Sequence, residues 1–435
     1  MDTDFDRLAD LEVHVADVEL ERLERDTSSD FTRVTTEVAL SGPHSSSEQV
    51  TGRGEDVTYD AEEHDALHQV GLPTDGLEGE FTLASFSDRL EDLNLFPAGP
   101  PDRKDFRDYR RWALESAALD LALRQAGTSL GDALDREPKP LRFVASTRLG
   151  EPPSTDRVEH LRDAVPSLEF KLDPTPEWTD AVVDDLVATD AVRILDLKGQ
   201  YEGTEVDVPS DPDFYERILE SFPEAVIEDP GVTEETRPLL EVPDVRNRLS
   251  WDAPIHSVED VGSLPWEPRW LNVKPSRFGS LESLLETIAY CEERGIRCYG
   301  GGQFELGVGR GQIQLLAALY YPDGPNDVAP GVYNDPSRYR EDREDLPEWR
   351  TADPLERYET YLREQGVLDD DVVESVREDV EAEVEAAVET AEEAPAPDPS
   401  DVFEPVYDEP TPRLEDQRAW LERFLADYDV QELEH

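Results

Sequence analysis

Ile194-Leu195-Asp196-Leu197-Lys198 is a short apolar run that ends in an acid and an amine. Four other runs share its form: Leu168-Glu169-Phe170-Lys171, Ala225-Val226-Ile227-Glu228, Leu249-Ser250-Trp251-Asp252 and Leu271-Asn272-Val273-Lys274. Each has the length of a buried strand, with charge where the strand leaves the core. The strand candidates are Leu141–Ser146, Ser167–Lys171, Val192–Leu197, Ala225–Glu228, Arg248–Asp252, Trp270–Lys274 and Arg297–Gly301, with an eighth near Asp327–Val332. Amphipathic helical stretches separate most of them, and Leu281 to Arg294 is the clearest. Such alternation implies parallel strands joined by crossover helices, closing into a (β/α)8 barrel. In that architecture the chemistry sits at the carboxy-terminal strand ends. Lys171, Asp196, Lys198, Glu228, Asp252 and Lys274 all fall there.

The lysines sharpen this reading. Among 41 basic residues only five are lysine, namely Lys104, Lys139, Lys171, Lys198 and Lys274. Arginine stays charged in proteins, whereas a lysine in a crowded site can act as a base, an acid or a Schiff-base former. Three surviving lysines at strand ends, beside three acids, suggest a metal-assisted acid/base site.

The chain has 435 residues and a formal net charge of -63. That length allows two or three domains, or one large barrel with additions. A strongly negative field repels nucleic acid and anionic membrane, so neither is expected as a partner. The acids are spread along the whole chain and lysine is scarce, which fits a halophilic protein kept soluble in a salt-rich cytoplasm where self-repulsion is screened. The two cysteines, Cys291 and Cys298, are too few for a disulfide framework or a thiolate zinc site; Cys298 falls in a strand candidate and reads as core. Met1-Asp2-Thr3-Asp4 has no basic or apolar signal region, and no run reaches membrane-spanning length. A cytoplasmic location is expected.

Three domains are expected: 1–137 α+β, 138–340 barrel, and 341–435 a helical acidic C-terminal extension. In the first, partial alternation from Leu11 to about Glu24 and in Thr32–Leu40, followed by Gln49–Asp56, reads as an antiparallel meander. Tyr109 to Ala126 then switches to helical spacing, with Gly127 as its stop. In the last, Leu355–Glu393 is helical and acidic, Ala394–Pro399 is a stiff linker, and Leu414, Leu421, Phe424, Leu425 and Tyr428 form an amphipathic stripe expected to pack back onto the protein.

Asp196 to Glu228 is 32 residues, Glu228 to Asp252 is 24 and Asp252 to Lys274 is 22. One strand-helix-loop unit of a barrel takes roughly 25 to 30 residues, so the three acids fall on successive strands. Converging carboxylates suit a hard cation such as Mg²⁺ (or Mn²⁺), which leaves room for substrate oxygens.

At this point the chain resembles the enolase superfamily, in particular its muconate-lactonizing-enzyme-like branch. Four patterns carry the resemblance, over about residues 10–335. Arg111-Trp112-Ala113-Leu114-Glu115-Ser116-Ala117-Ala118-Leu119-Asp120-Leu121-Ala122 looks like the helix before the family's barrel. Gly52-Arg53-Gly54-Glu55 looks like its capping-domain hairpin. Asn272-Val273-Lys274-Pro275-Ser276-Arg277-Phe278-Gly279 looks like its sixth-strand lysine motif, and Gly301–Arg310 like its seventh-strand segment. The resemblance implies an N-terminal α+β capping domain over a modified (β/α)8 TIM-type barrel. It also implies a small carboxylate substrate held by Mg²⁺, and a base that removes the proton α to the carboxylate to give an enediolate. Asp196, Glu228 and Asp252 would be metal ligands, and Lys171 and Lys274 would face each other across the substrate. Asp173, Gln303 and Glu305 would line it. A homo-oligomer is left open.

Two departures stand out. The branch carries two lysines one residue apart on its second strand, and here the stretch is Glu169-Phe170-Lys171-Leu172-Asp173. Either Asp173 replaces the second lysine, which Phe-Lys-Leu-Asp-Pro slightly favours, or Glu169 replaces the first. Lys198 stands two residues after Asp196, where the family commonly has asparagine. Residues two apart on a strand point to the same side, so Lys198 supplies a cation to the site, binds a substrate carboxylate or phosphate, or pairs with an acid such as Asp173. None of the seven histidines falls in the late strands, so a His–Asp base pair is not expected. The reading that competes with an enzyme is an enolase-like relative that binds metal or a carboxylate without turnover.

Overall fold

A computed structural model describes residues 3–26, 31–45, 48–200, 208, 210–328 and scattered positions from 358 onward. Met1–Arg340 forms one compact unit and Glu341–His435 a second. The expected C-terminal helices, linker and stripe lie almost wholly outside the described residues.

The amino-terminal part carries two antiparallel sheets. Strand β1 (Glu12–Val15) pairs with β5 (Gly79–Thr82), a partner without a sequence signal of its own. Strands β2 (Asp17–Asp26), β3 (Thr32–Ser45) and β4 (Glu48–Asp56) form the meander, in register from Asp17↔Ser41 to Asp26↔Thr32. The helix Asp105–Ala126 lies across this sheet, and Gly127 stops it at φ 65. The approach is possible because β4 presents glycine. A Cβ at Gly52 would stand 2.1 Å from the Leu121 nitrogen, and one at Gly54 would stand 2.0 Å from the Ala113 oxygen. The Gly-Arg-Gly spacing puts both bare positions on one face of the strand. Deeper in, Arg110 of the helix meets Asp56 at the end of β4 at 2.7 Å, both fully buried.

The barrel strands are β6 (Val144–Thr147), β7 (Glu169–Leu172), β8 (Val192–Asp196), β9 (Val226–Glu228), β10 (Leu249–Trp251), β11 (Trp270–Val273) and β12 (Arg297–Gly300). They pair in parallel in sequence order. The gap between first and last is bridged by Asn326 and Asp327, through Phe143↔Asn326 and Gly301↔Asp327. The Asn326 side chain fastens this seam by accepting from the Gly300 amide at 2.7 Å and donating to the Gly324 carbonyl at 2.9 Å. The expected eighth strand is thus a pair of single bridges at its start, and its remainder lies outside the described residues.

Strand parity sets what points inward. Val144, Ile194, Val226 and Tyr299 are buried together, with Trp270 packed on them, as an interior layer. Phe170, Leu172, Leu195, Ile227 and Leu249 face the surrounding helices. Two residues beyond the inner layer on three of these strands come Asp196, Glu228 and Asn272, so the same alternation that fills the barrel lifts polar groups to its rim. Cys291 is buried and Cys298, on the outer face of β12, is half-buried rather than core. No helix among the described residues is long and apolar enough to cross a membrane.

Candidate active site

At the rim, side chains from alternate strands meet. Lys171 on β7 is 2 % exposed, and its Nζ donates to Glu228 Oε1 at 2.6 Å. The same amine lies 3.2 Å from Asp196 Oδ2 and 3.7 Å from Asp327 Oδ2. Glu228 is held from three sides: its Oε1 also accepts from Asn272 Nδ2 at 3.1 Å, and its Oε2 accepts from the Tyr299 hydroxyl at 2.5 Å. Lys198 adopts φ 54, a left-handed turn that folds it back. Its backbone amide donates to Asp196 Oδ1 and its Nζ to Asp196 Oδ2, at 3.2 and 2.5 Å. Asp173 Oδ1 stands 3.7 Å from the same Nζ, and Arg148 Nε donates to Asp173 Oδ2 at 3.2 Å.

On the far side, Lys274 Nζ donates to Asp252 Oδ2 at 2.9 Å, and Arg277 faces Asp252 Oδ1 at 3.1 Å. Arg277 reaches back because Pro275–Phe278 forms a single helical turn directly after Lys274. Asp229 closes the group, accepting from the Asp252 and Ala253 amides at 2.8 Å each.

The electrostatics follow from crowding in a dry site. Burial and the neighbouring charges of Asp196 and Asp252 push Glu228 up to about 8, although Lys171 pulls it down. Burial, then Asp252 and Asp196, push Asp229 to about 7. For Asp196, burial is outweighed by Lys198 and Lys171, which hold it below the usual carboxylate range. Asp252 is lowered in the same way by Arg277 and Lys274. Burial acts against the Lys171 ammonium, but Glu228, Asp196 and Asp327 outweigh it and raise the amine well above its ordinary value.

The donor chemistry fits a hard divalent cation: buried carboxylates stand on three successive strands, and burial, reinforced by neighbouring carboxylates, pushes Glu228 and the adjoining Asp229 up. Among the described residues, however, no three acids stand in metal-holding geometry. Lys171, Lys198, Lys274 and Arg277 face these oxygens instead. A bound Mg²⁺ therefore requires an ammonium to give up its carboxylate.

Of the residues expected from sequence, the structure gathers Lys171, Lys198, Asp173, Asp196 and Glu228 into one ion-pair network, and pairs Lys274 with Asp252 in a second. Gln303 and Glu305 follow β12 on the adjoining loop, where Glu305 Oε1 accepts from the Gln303 amide at 2.7 Å and Oε2 faces Arg310 at 3.2 Å. His256 contacts the Arg277 carbonyl at 3.1 Å, as an ordinary loop histidine does. Sequence reasoning missed Asp229, Asn272, Arg277, Tyr299 and Asp327. Strand parity was a usable signal for Asn272 and Tyr299, which share their face with Lys274 and Gly301.

The fold is matched among solved structures. A protein of the enolase superfamily from Listeria innocua superposes with TM-score 0.55 at 18 % identity, covering 73 % of this chain and 86 % of that one. Its fold is that of the enolase superfamily. A dipeptide epimerase from Methylococcus capsulatus complexed with a magnesium ion gives TM-score 0.55 at 18 % identity, over 71 % of this chain and 88 % of that one. Muconate lactonizing enzyme from Pseudomonas putida gives TM-score 0.54 at 18 % identity, over 72 % and 88 %. In sequence, the chain is similar to o-succinylbenzoate synthase from Bacillus subtilis, 25 % identical over 52 % of this chain and 59 % of that protein. Residues 6–133 and 137–335 match the N-terminal and C-terminal domains of a family described as "Domain of unknown function (DUF8230)".

Beyond the enolase-like part, residues 332–400 match the family described as "Dehydrogenase E1 component". The chain is 39 % identical over 115 residues to 3-methyl-2-oxobutanoate dehydrogenase subunit alpha from Mycobacterium tuberculosis, spanning 30 % of that protein's length.

Proposed function

We propose that the barrel mouth moves a proton α to the carboxylate of a small acid, as a lyase or isomerase. The observation that carries this reading is that Lys171 pairs with the buried carboxylates of Asp196 and Glu228 while Lys274 pairs with the buried carboxylate of Asp252. The two lysines come from the second and sixth strands of the barrel, which lie on opposite sides of its axis.

Lys171, within 3.2 Å of two carboxylates, is a fixed ammonium that stabilises negative charge developing on the substrate. Lys274 is the acid/base: a proton taken up at its Nζ stays paired with Asp252, and Arg277 holds that carboxylate in place. Lys198 brings an amine to the side where Asp173 stands. Asp196, Glu228 and Asp252 would hold Mg²⁺ only where the ammonium groups facing them yield an oxygen, and the ion would then supply Lewis-acid charge that makes the α-proton more acidic. The similar proteins are a synthase, an epimerase and a lactonizing enzyme. Dehydration, epimerisation and cycloisomerisation are all compatible with that likeness.

The second reading is an enolase-like binding protein without turnover. It is favoured by Lys198, whose amine is shared between Asp196 and Asp173. Deuterium incorporation at the α-carbon of a panel of carboxylic acids, in high salt with Mg²⁺, separates the two. Exchange that disappears in Lys274→Ala supports the enzyme. Tight metal binding with no exchange across the panel leaves the binding protein.

A further inference from the structure

We infer that Glu55 and Arg33 are positioning residues: they bolt the loop after β12, with Gln303 and Glu305, to the capping domain, so that this wall of the mouth takes shape only with the cap docked. The inference rests on the functional reading only in assigning that wall to substrate.

The loop needs an outside hold. Phe304 adopts φ 56, a left-handed conformation that bulky residues avoid. The helix Val308–Tyr320 that follows starts at Gly307 with no side-chain cap of its own, so its first amides need acceptors from elsewhere. The capping domain supplies both. Arg33 on β3 is 1 % exposed and donates to the Gln303 carbonyl at 3.1 Å and the Phe304 carbonyl at 3.4 Å. Its Nη1 donates to the Thr58 carbonyl at 2.6 Å, and the Nη2 that reaches Gln303 also donates to the Val57 carbonyl at 2.5 Å. Phe31, just before β3, packs edge-on to Phe304 at 5.4 Å between centroids.

Glu55 on β4 is also 1 % exposed. Its carboxylate accepts from the amides of Leu306 at 2.6 Å, Gly307 at 3.0 Å and Gly309 at 2.9 Å. Glu37 adds an acceptor for the Val308 amide at 3.4 Å. Negative charge at a helix amino terminus is favoured by the aligned peptide dipoles. Here it comes from the other domain. The glycines are part of the design: a Cβ at Gly309 would stand 2.9 Å from Glu55 Oε2, and one at Gly307 would stand 2.9 Å from Glu37 Oε2.

The grip reaches the mouth. Glu305 bonds the Gln303 amide and pairs with Arg310. Gly301, at the loop's start, lies so close to Lys274 that a Cβ there would be 2.8 Å from its Cε. Cap, loop and mouth lysine are therefore one chain of contacts.

Amide hydrogen exchange of the full chain in high salt tests this without any ligand. Glu55→Gln removes the charge and turns one acceptor into a donor facing amides. Exchange across residues 303–310 should rise by about tenfold, while β2 to β4 and the helix Asp105–Ala126 keep wild-type protection. Arg33→Lys keeps the charge but loses the fork, and should loosen 303–306 more than 307–310. It also serves if Glu55→Gln does not fold. Arg124→Ala, on the exposed face of the same helix, is the control. Unchanged exchange at 303–310, or a uniform rise through the capping domain, overturns the inference. With any acid that shows α-exchange, Glu55→Gln should raise KM by about fivefold or more with little change in kcat; a fall in kcat alone also overturns it. A loosened loop in a chain that turns over nothing condemns only the functional reading.

Discussion

Lys171 Nζ reaches past β8 to donate to Glu228 Oε1 at 2.6 Å, joining β7 to β9 across the strand between them. Both groups are buried. The ammonium also lies against Asp196, so three of the residues that define the mouth share one contact.

Removing that ammonium leaves buried carboxylates without their partner. Lys171→Met should lower stability by about 3–5 kcal/mol and abolish α-proton exchange. Adding Glu228→Gln should recover much of the stability and none of the activity. Urea denaturation in high salt, with exchange measured alongside, checks both; full stability in the single variant would contradict the geometry.

Lys198→Met separates a catalytic amine from a neutralising one. If Lys198 moves a proton or stabilises developing charge, turnover should fall by about a hundredfold or more. Unchanged turnover with altered stability would leave it as the partner of Asp196 and Asp173 alone.

The capping domain carries its own pH dependence. Burial opposes Asp56 ionising, but Arg110 and His64 outweigh it and hold its carboxyl below the ordinary 3.8. A lowered folded value means the contribution is present above the unfolded value and is lost as pH falls toward the folded one. Asp56→Asn should therefore lower stability at neutral pH and flatten the acid limb below about pH 4. Thermal unfolding between pH 2 and pH 7 reads this out; parallel acid limbs in the two proteins would refute it.

Gly54→Ala places a methyl where the Ala113 carbonyl already stands, 2.0 Å away. The helix Asp105–Ala126 must then shift off the sheet, and the loss should be about 1–3 kcal/mol or more. An unchanged melting temperature would show that the contact gives way freely.

Truncation after Ala352 removes most of the segment similar to a dehydrogenase E1 subunit. The mouth is built from residues before 328, so α-proton exchange should persist at wild-type rate. Loss of exchange in a shortened chain that still folds would tie the segment to the activity.

Much of this is legible in the sequence. Apolar runs ending in charge located Lys171, Asp196, Glu228, Asp252 and Lys274, because strand length and the strand-helix period are local properties. The helix Leu281–Arg294 and the stop at Gly127 were legible for the same reason. Strand β5 was not: Gly79–Thr82 has no period of its own and exists because β1 lies beside it. Asp229 and Asp327 were single acids among 104, and composition that acidic hides any one of them.

The sequence by itself determined that Lys171, Asp196, Glu228, Asp252 and Lys274 stand at strand ends, since strand length and parity are local. Only the tertiary structure decided how they pair: Lys171 with Glu228, Lys198 between Asp196 and Asp173, and Asp252 between Lys274 and Arg277. It alone decided that Glu55 caps a helix about 250 residues further along the chain. The physical reason is range: backbone period acts over a few residues, whereas charge pairing in a dry site depends on which strands the closed barrel sets face to face.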